Sequence, residues 1–363
     1  MSGTRISPLT EDDVPAVTQF IWRSVDRLVQ ADGFPPRGSA PHELEEERRF
    51  QARISGYPYF IDGLPRGWVL RDRSEALVGA LLAFAWRFRL GEHRLLGLAA
   101  GPFFVDPDVR LQGFFMLRQL LNTQSVDLFY ANTCNATAGA LWTKLGGTAV
   151  PNSDVEYLVV FNPGPVAQEF ALRRNAGEAV SSLAGIAGGM AAPLAWRRRS
   201  GLRVEPTGDW ERMAATAEQH RDRELLTGDR SVTYLRGSYQ EALERKAVEI
   251  YCFRDAQGNE GWFSLARATR GRVRQIRSAQ LLDVVWPRGR MDFDVVLAAI
   301  ADAARSDADL LSIRARPGIP ELQPAGIAVL RRSLPAPEAF VRSRFSAEPN
   351  LSARADFATA DAV

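Results

Sequence analysis

The stretch "VDPDVRLQGFFML", Val105 to Leu117, decides the fold. A strand ends in Val105-Asp106-Pro107, and a helix starts near Gln112. Two readings fit such a corner. In one, the small Gly113 lets successive backbone amides at the helix start approach a diphosphate, with help from the helix dipole. In the other, it is an ordinary strand-to-helix turn holding one glycine. Leu111 and Phe115 set bulk beside two of the points of approach, so the surrounding layout has to arbitrate.

Upstream, Ile6 closes a short strand, Thr10 with Asp13 forms a helix-start signal, and Val14, Val17, Phe20, Ile21, Val25 and Leu28 mark one helix face. A helix is also expected in the acidic-basic run "PHELEEERRFQARI". Strands follow at Trp68–Asp72, Leu77–Phe88 and Leu95–Val105. Downstream come a helix from Gln112 to Asn122, a strand Leu128–Ala131, a helix Ala136–Lys144 and a last strand Val155–Phe161. The second half repeats the order: strand Leu202–Val204, helix Trp210–His220, strands Val248–Arg254, Gly261–Ala268 and Val273–Asp283, helix Phe293–Arg305, strand Leu310–Ile313 and a short helix near Glu321–Ala325. Pro107 matches Pro287, and "VDLFY" matches "ADLLS", which argues for duplication.

Composition narrows the class. The 363 residues suffice for two domains, each with its own core, and 46% hydrophobic with 24% charged is ordinary for globular protein. A formal net charge of +2 gives no reason to expect nucleic acid. Lys144 and Lys246 are the only lysines, so chemistry needing several is excluded. Cys134 and Cys252 are far apart and His42, His93 and His220 are scattered, so no metal site is expected and a reducing cytoplasm is the default. The uncharged run Ala179–Trp196 has Val180, Leu183, Ala187, Met190 and Leu194 on one stripe, interrupted by Pro193; it reads as a linker helix lying against a domain rather than a transmembrane segment.

Order and spacing resemble the GNAT superfamily, the acyl-CoA-dependent N-acyltransferases. "RISPLTEDDVPAV" is similar to that family's entry strand and first helix. Arg110-Leu111-Gln112-Gly113-Phe114-Phe115 stands where the fingerprint Arg/Gln-x-x-Gly-x-Gly/Ala belongs, with Leu111 and Phe115 as departures. "CNATAGALWTKLGG" resembles the late helix Asn-x-x-Ala-x-x-x-Tyr-x-x-x-Gly-Phe; Asn135, Ala138 and Gly146 keep their places, while Trp142 replaces the Tyr and Gly147 the Phe. The resemblance implies an α/β fold, an α+β mixed sheet in each of two tandem GNAT-like domains. The ranges are residues 1–163 with the partial fingerprint, a linker helix at 164–200, a second domain at 201–345 without the fingerprint, and a flexible tail at 346–363.

It also implies acetyl-CoA or another acyl-CoA as co-substrate and a small-molecule amine as acceptor. Phe103, Phe104 and Val105 would supply a backbone amide to the acyl oxygen, and Arg110 to Phe115 would face the diphosphate. Asn135 would bind the pantetheine arm or cap its helix. Trp142 has no proton to release near neutral pH, so it cannot act as the family's Tyr does. Candidate proton-transfer groups are Glu92 and His93 at the start of the fourth strand, and Tyr130 on the fifth. Cys134 precedes a helix start, where a thiolate gains stability, although a buried spectator thiol also fits. Glu43, Glu45, Glu46 and Glu47 form an acidic cluster that an amine or plain solvent could face. Two other readings stay open: a non-catalytic scaffold or metabolite-binding regulator, and a tRNA-dependent aminoacyl transferase. The acceptor's identity and the oligomeric state are not written in the sequence.

Overall fold

Leu90 pairs with His93 across a two-residue turn, and Gly91 supplies the positive φ of 54° that the first position of such a hairpin demands. Around this hairpin the computed structural model describes residues 3–31, 51, 61–173, 178–191, 196, 198–270, 275–324, 328–345 and 351–356. The acidic cluster Glu43–Glu47, His42 and Leu194 lie outside these. The chain divides into two compact units: Met1–Val150 with Glu338–Arg354, and Pro151–Pro337 with Ala355–Val363.

Unit 1 begins with β1 (Arg5–Pro8), α1 (Val14–Ala31), β2 (Gly67–Arg71), β3 (Leu77–Leu90) and β4 (His93–Val105). It continues through α2 (Gln112–Leu121), β5 (Leu128–Ala131), α3 (Ala136–Lys144) and β6 (Thr148–Ala149). Thr10 anchors the entry to α1, its backbone amide donating to Asp13 Oδ2 at 2.9 Å and its hydroxyl at 2.7 Å. Val14, Val17, Phe20 and Ile21 of α1 pack on Val69, Ala80 and Leu82, covering one sheet face. The other face carries α2, whose Met116 sulfur lies 3.4 Å from where a Cβ on Gly79 would stand.

Unit 2 opens with β7 (Val155–Val160), then α4 (Pro163–Arg173), α5 (Glu178–Met190), β8 (Arg203–Pro206), α6 (Trp210–Gln219), β9 (Leu226–Gly228) and α7 (Val232–Glu244). β10 (Val248–Arg254), β11 (Glu260–Arg270), β12 (Ile276–Val285), α8 (Phe293–Arg305), β13 (Leu310–Arg314) and β14 (Val329–Ser333) complete its main run. The chain then returns to unit 1 for β15 (Phe340–Ser343), and β16 (Ala355–Asp356) pairs in parallel with β9 in unit 2. On one face, Val296, Leu297 and Ile300 of α8 join Val155, Tyr157 and Val159 of β7 in the core. On the other, the Trp262 indole N–H donates to the Met213 carbonyl of α6 at 3.0 Å, and the Ser264 hydroxyl to the Tyr239 hydroxyl of α7 at 3.2 Å.

The two sheets have the same plan. Unit 1 runs β1-β2-β3-β4-β5-β15-β6 and unit 2 runs β8-β10-β11-β12-β13-β7-β14. The strand next to β5 therefore comes from the end of the chain, and the strand next to β13 comes from its middle. This revises the sequence-drawn layout, which gave Val155–Phe161 to the first domain and all of 201–345 to the second. An apolar strand of this kind fits either slot equally well. What fixes β7 is Glu156, which is fully buried: Ser312 of β13 donates its hydroxyl to one carboxylate oxygen at 2.5 Å, and Arg332 of β14 reaches the other at 3.2 Å. What fixes β15 is Phe340, whose ring stacks on Trp142 at 6.5 Å.

Three further expectations change. Glu321–Pro324 is not helical. In the tail, Leu351 and Ala355 are fully buried, so the described part of it is packed rather than loose. The stripe on α5 faces outward: Val180, Leu183 and Met190 are 58–78% exposed, Ala187 is exposed too, and so is the neighbouring Ile186. Its small-residue side makes the contact with α4 instead, since a Cβ on Gly188 would lie 2.7 Å from the Pro163 carbonyl oxygen. Among the described residues no helix is long and apolar enough to cross a membrane.

Losing β15 would leave both β5 and β6 with an open edge. A fragment covering residues 1–163 is expected to give a collapsed amide NMR spectrum. Adding a peptide of residues 336–356 in trans is expected to restore dispersed peaks.

Candidate functional site

In unit 1, β4 and β5 are parallel neighbours through only three pairs, Gly97 with Leu128, Leu98 with Phe129 and Ala99 with Tyr130. Beyond Ala99 they part. The cause lies on the other edge of β4, where Leu81 faces Phe103 and Ala83 faces Ala100, so Leu82 alone opposes Gly101 and Pro102. One extra residue makes a β-bulge, which bends the strand and re-aims the residues beyond it. Pro102 has no N–H to spend on a ladder. Asp106 donates its amide to the Val78 carbonyl at 2.8 Å, so by antiparallel alternation Phe103 and Val105 turn their amides away from β3, toward the side where the pairing with β5 has ceased. Phe104 packs on the α1 side, and Phe103 lies under α2.

The corner after β4 is less open than the sequence implies. Arg110 donates its amide to the Pro107 carbonyl at 3.4 Å, Gly113 to Arg110 at 3.1 Å and Phe114 to Leu111 at 3.3 Å. The amides of Leu111 and Gln112 have no acceptor among the described residues. Gly113 is buried, and a Cβ there would stand 3.2 Å from the Phe103 ring and 3.6 Å from Val105. Its smallness thus serves the approach of α2 to β4, and the cradle shrinks to two amides beside the exposed Arg110 side chain. Leu111 and Phe115, one helical turn apart, are 81% and 48% exposed.

The remaining sequence candidates scatter. Asn135 caps α3, its Oδ1 accepting the Ala138 amide at 2.9 Å. Trp142 is buried against Phe340. Tyr130 is fully buried with its ring edge-on to Phe88 at 5.1 Å, so its hydroxyl lies within the core. Glu92 and His93 are exposed at the opposite end of β4; seven residues separate His93 from Ala100, roughly 23 Å of strand. His93 rests instead on the Phe345 ring at 5.1 Å. Burial, helped by Glu338, pushes the Cys134 thiol up to about 12, so it is a protonated spectator at neutral pH. Among the described residues no group of three His, Cys, Asp or Glu could hold a metal ion.

One residue escaped the sequence reading. Asn132 follows directly on β5, at the open end of the fork, and its side-chain Nδ2 is buried without a hydrogen-bond partner among the described residues. Its only signal was position: the first polar residue after a fully apolar strand.

Unit 2 repeats the fork and closes it. β12 and β13 pair in parallel from Ser278 to Gln280, and an extra residue at Leu282 bulges β12 against β11. The gap is bridged by side chains. Arg316, just past β13, donates to the Leu282 carbonyl at 3.4 Å and reaches Asp283 at 3.5 Å. Arg230 grips the same carboxylate with two bonds of 2.8 Å. Burial alone would raise the Asp283 carboxyl, but Arg230 and Arg316 more than offset it and hold the group below its ordinary value. The carboxylate's contribution is therefore present at neutral pH and is lost only as pH falls through that lowered value. Arg230→Met leaves a buried charge short of its main partner, which is expected to cost about 3–5 kcal/mol in denaturant unfolding at pH 7. Its Asp283 titrates higher, so the deficit against the wild type should narrow as the pH is lowered toward 4.

No family model matches this sequence, and no curated protein matches it. Solved structures do. A GCN5-related N-acetyltransferase from Kribbella flavida is 14% identical with a TM-score of 0.53, covering 95% of this chain and 72% of that one. Another from Anabaena variabilis is 10% identical at 0.53, covering 94% and 72%. The Saccharomyces cerevisiae N-myristoyltransferase with bound myristoyl-CoA is 11% identical at 0.52, covering 86% and 73%. At such identities the likeness is one of architecture. What the chain shares with these acyltransferases is therefore their fold, and its two sheets follow one strand plan.

Proposed function

We propose that unit 1 is an acyl-CoA-dependent N-acyltransferase that delivers an acyl group to an amine. One observation carries the reading: the fork between β4 and β5 ends in a buried, unpartnered amide on Asn132. An N–H buried without an acceptor costs about 1–3 kcal/mol, and a seated ligand with amide carbonyls, such as a pantetheine arm, relieves that cost. Phe103 or Val105 would donate a backbone amide to the thioester oxygen, where negative charge builds as the amine adds. Leu111 and Gln112 amides with Arg110 would meet the diphosphate. In the transfer a C–N bond forms and the C–S bond breaks; the sulfur leaves as a thiolate and takes a proton, and the amine gives one up. Glu92 and His93 stand at the far end of β4, and Tyr130 and Trp142 are buried in the core, so other groups or solvent carry those protons.

That same displacement favours a second reading, in which unit 1 binds the coenzyme without turning it over. Acetyl-CoA is the first donor to try in either case.

Calorimetry with coenzyme A and a series of acyl-CoA esters is expected to show binding in the wild type. Asn132→Leu should weaken it roughly tenfold while raising unfolding stability by about 1 kcal/mol, because the unpaired amide is gone. Absence of binding by every acyl-CoA would end both readings. Binding without thiol release across a panel of amines would select the second.

A further inference from the structure

In unit 2 the end of α6 faces the corner between β12 and α8 across a cavity of about 280 Å³. Gln219, His220, Arg221 and Asp222 form one wall, and Pro287, Arg288 and Arg290 the other. Arg288 is the floor. Its guanidinium lies 4.4 Å above the Trp286 ring, pairs with Asp222 at 3.0 Å and donates to the Gly318 carbonyl at 2.7 Å. Behind the floor stand Arg230 and Arg316 with Asp283 and Asp356. The interior of this network balances, since Arg230, Arg288 and Arg316 meet Asp222, Asp283 and Asp356.

The walls do not balance. Arg290 is exposed and has no carboxylate within salt-bridge distance among the described residues. On the facing wall Arg221, its side chain 11% exposed, pairs with Glu218 at 3.6 Å. The cavity therefore presents one guanidinium in excess, Arg290, facing the paired guanidinium groups of Arg221 and Arg288, and guanidinium forks match carboxylate and phosphate oxygens. His220 stands between these walls. Burial first, and then the charge of Arg290, lower its pKa against an opposing hydrogen bond to the Glu260 backbone and the Glu260 charge, so the ring is neutral near pH 7 with one nitrogen engaged by Glu260.

We propose that this cavity is a binding site for a compact polyanion, a phosphorylated or multiply carboxylated small molecule, held by Arg221 and Arg290 beside His220. It is separate from the fork in unit 1 and does not depend on the acyltransferase reading. Its shape suits side-chain recognition, because the corner Arg288-Gly289-Arg290-Met291 lacks the small-residue spacing for backbone capture of a diphosphate.

The test uses the whole chain and its His220 C2–H proton NMR signal, which is tractable because the sequence has three histidines and His220→Gln identifies the peak. Inorganic phosphate and citrate are added separately, each up to about 10 mM, at ionic strength held constant with sodium chloride. An anion seated beside Arg290 offsets its field, so the His220 midpoint is expected to rise saturably by about half a unit. Arg290→Ala should weaken that response roughly tenfold and leave the thermal midpoint unchanged. A rise with phosphate alone or with citrate alone assigns the ligand's acidic group; a rise with both assigns charge recognition by either. The proposal fails if neither anion moves His220, or if Arg290→Ala responds as the wild type does. It also fails if only coenzyme A moves the signal, which would make the cavity a second coenzyme site. Asn132→Leu should respond as the wild type does; loss of the response there would refute a separate site.

Discussion

An inner strand of a sheet must satisfy hydrogen-bonding groups on both edges, and that demand shapes both halves of this protein. β5 and β6 are joined only through β15, just as β13 and β14 are joined only through β7. Each unit thus closes its sheet with a strand that a simple reading of chain order assigns to the other. The exchange is cheap in energy because the slots are alike, and it is made specific by a few side chains. Glu156 needs the Ser312 hydroxyl and Arg332, and Trp142 needs the Phe340 ring. A buried carboxylate is a poor source of net stability but a strong discriminator of place, since a wrong slot leaves it unpaired.

The same sheet plan yields opposite results at the two forks. Both fourth strands carry one extra residue, and both part from their parallel neighbour. In unit 1 the opening meets Asn132 with an amide unspent. In unit 2 it meets Arg316 and Arg230 converging on Asp283. The two forks are alike in backbone, and the side chains at their lips differ: one meets an amide without a partner among the described residues, the other a buried carboxylate held by two arginines. The difference between the forks is therefore local and electrostatic, and the backbone gives little sign of it.

Much of the layout was legible because it is periodic. The limits of Ala136–Lys144, Val248–Arg254 and Phe293–Arg305 follow from caps and apolar spacing alone. Partner choice was not, because Val155–Val160 carries the same apolar message wherever it pairs. The site was legible only in outline. Gly113 marks the corner after β4, but its smallness lets α2 approach Phe103, a contact no spacing rule contains. Tyr130 and Glu92 lie where the sequence alone did not place them: strand alternation turns the first inward, and strand length carries the second to the far end. Asn132 went unnoticed because an unpaired amide is a property of surroundings and leaves no pattern in the chain.

The late encoding of β15 also matters at birth. On the ribosome the slot beside β5 stays empty while roughly 190 further residues are made after Ala149, about 10–40 s at ordinary elongation rates. The first apolar strand to emerge in that interval is β7, which the finished molecule uses elsewhere. Every nascent copy must therefore keep that early strand from settling in the vacant seat, or release it once its proper occupant is translated.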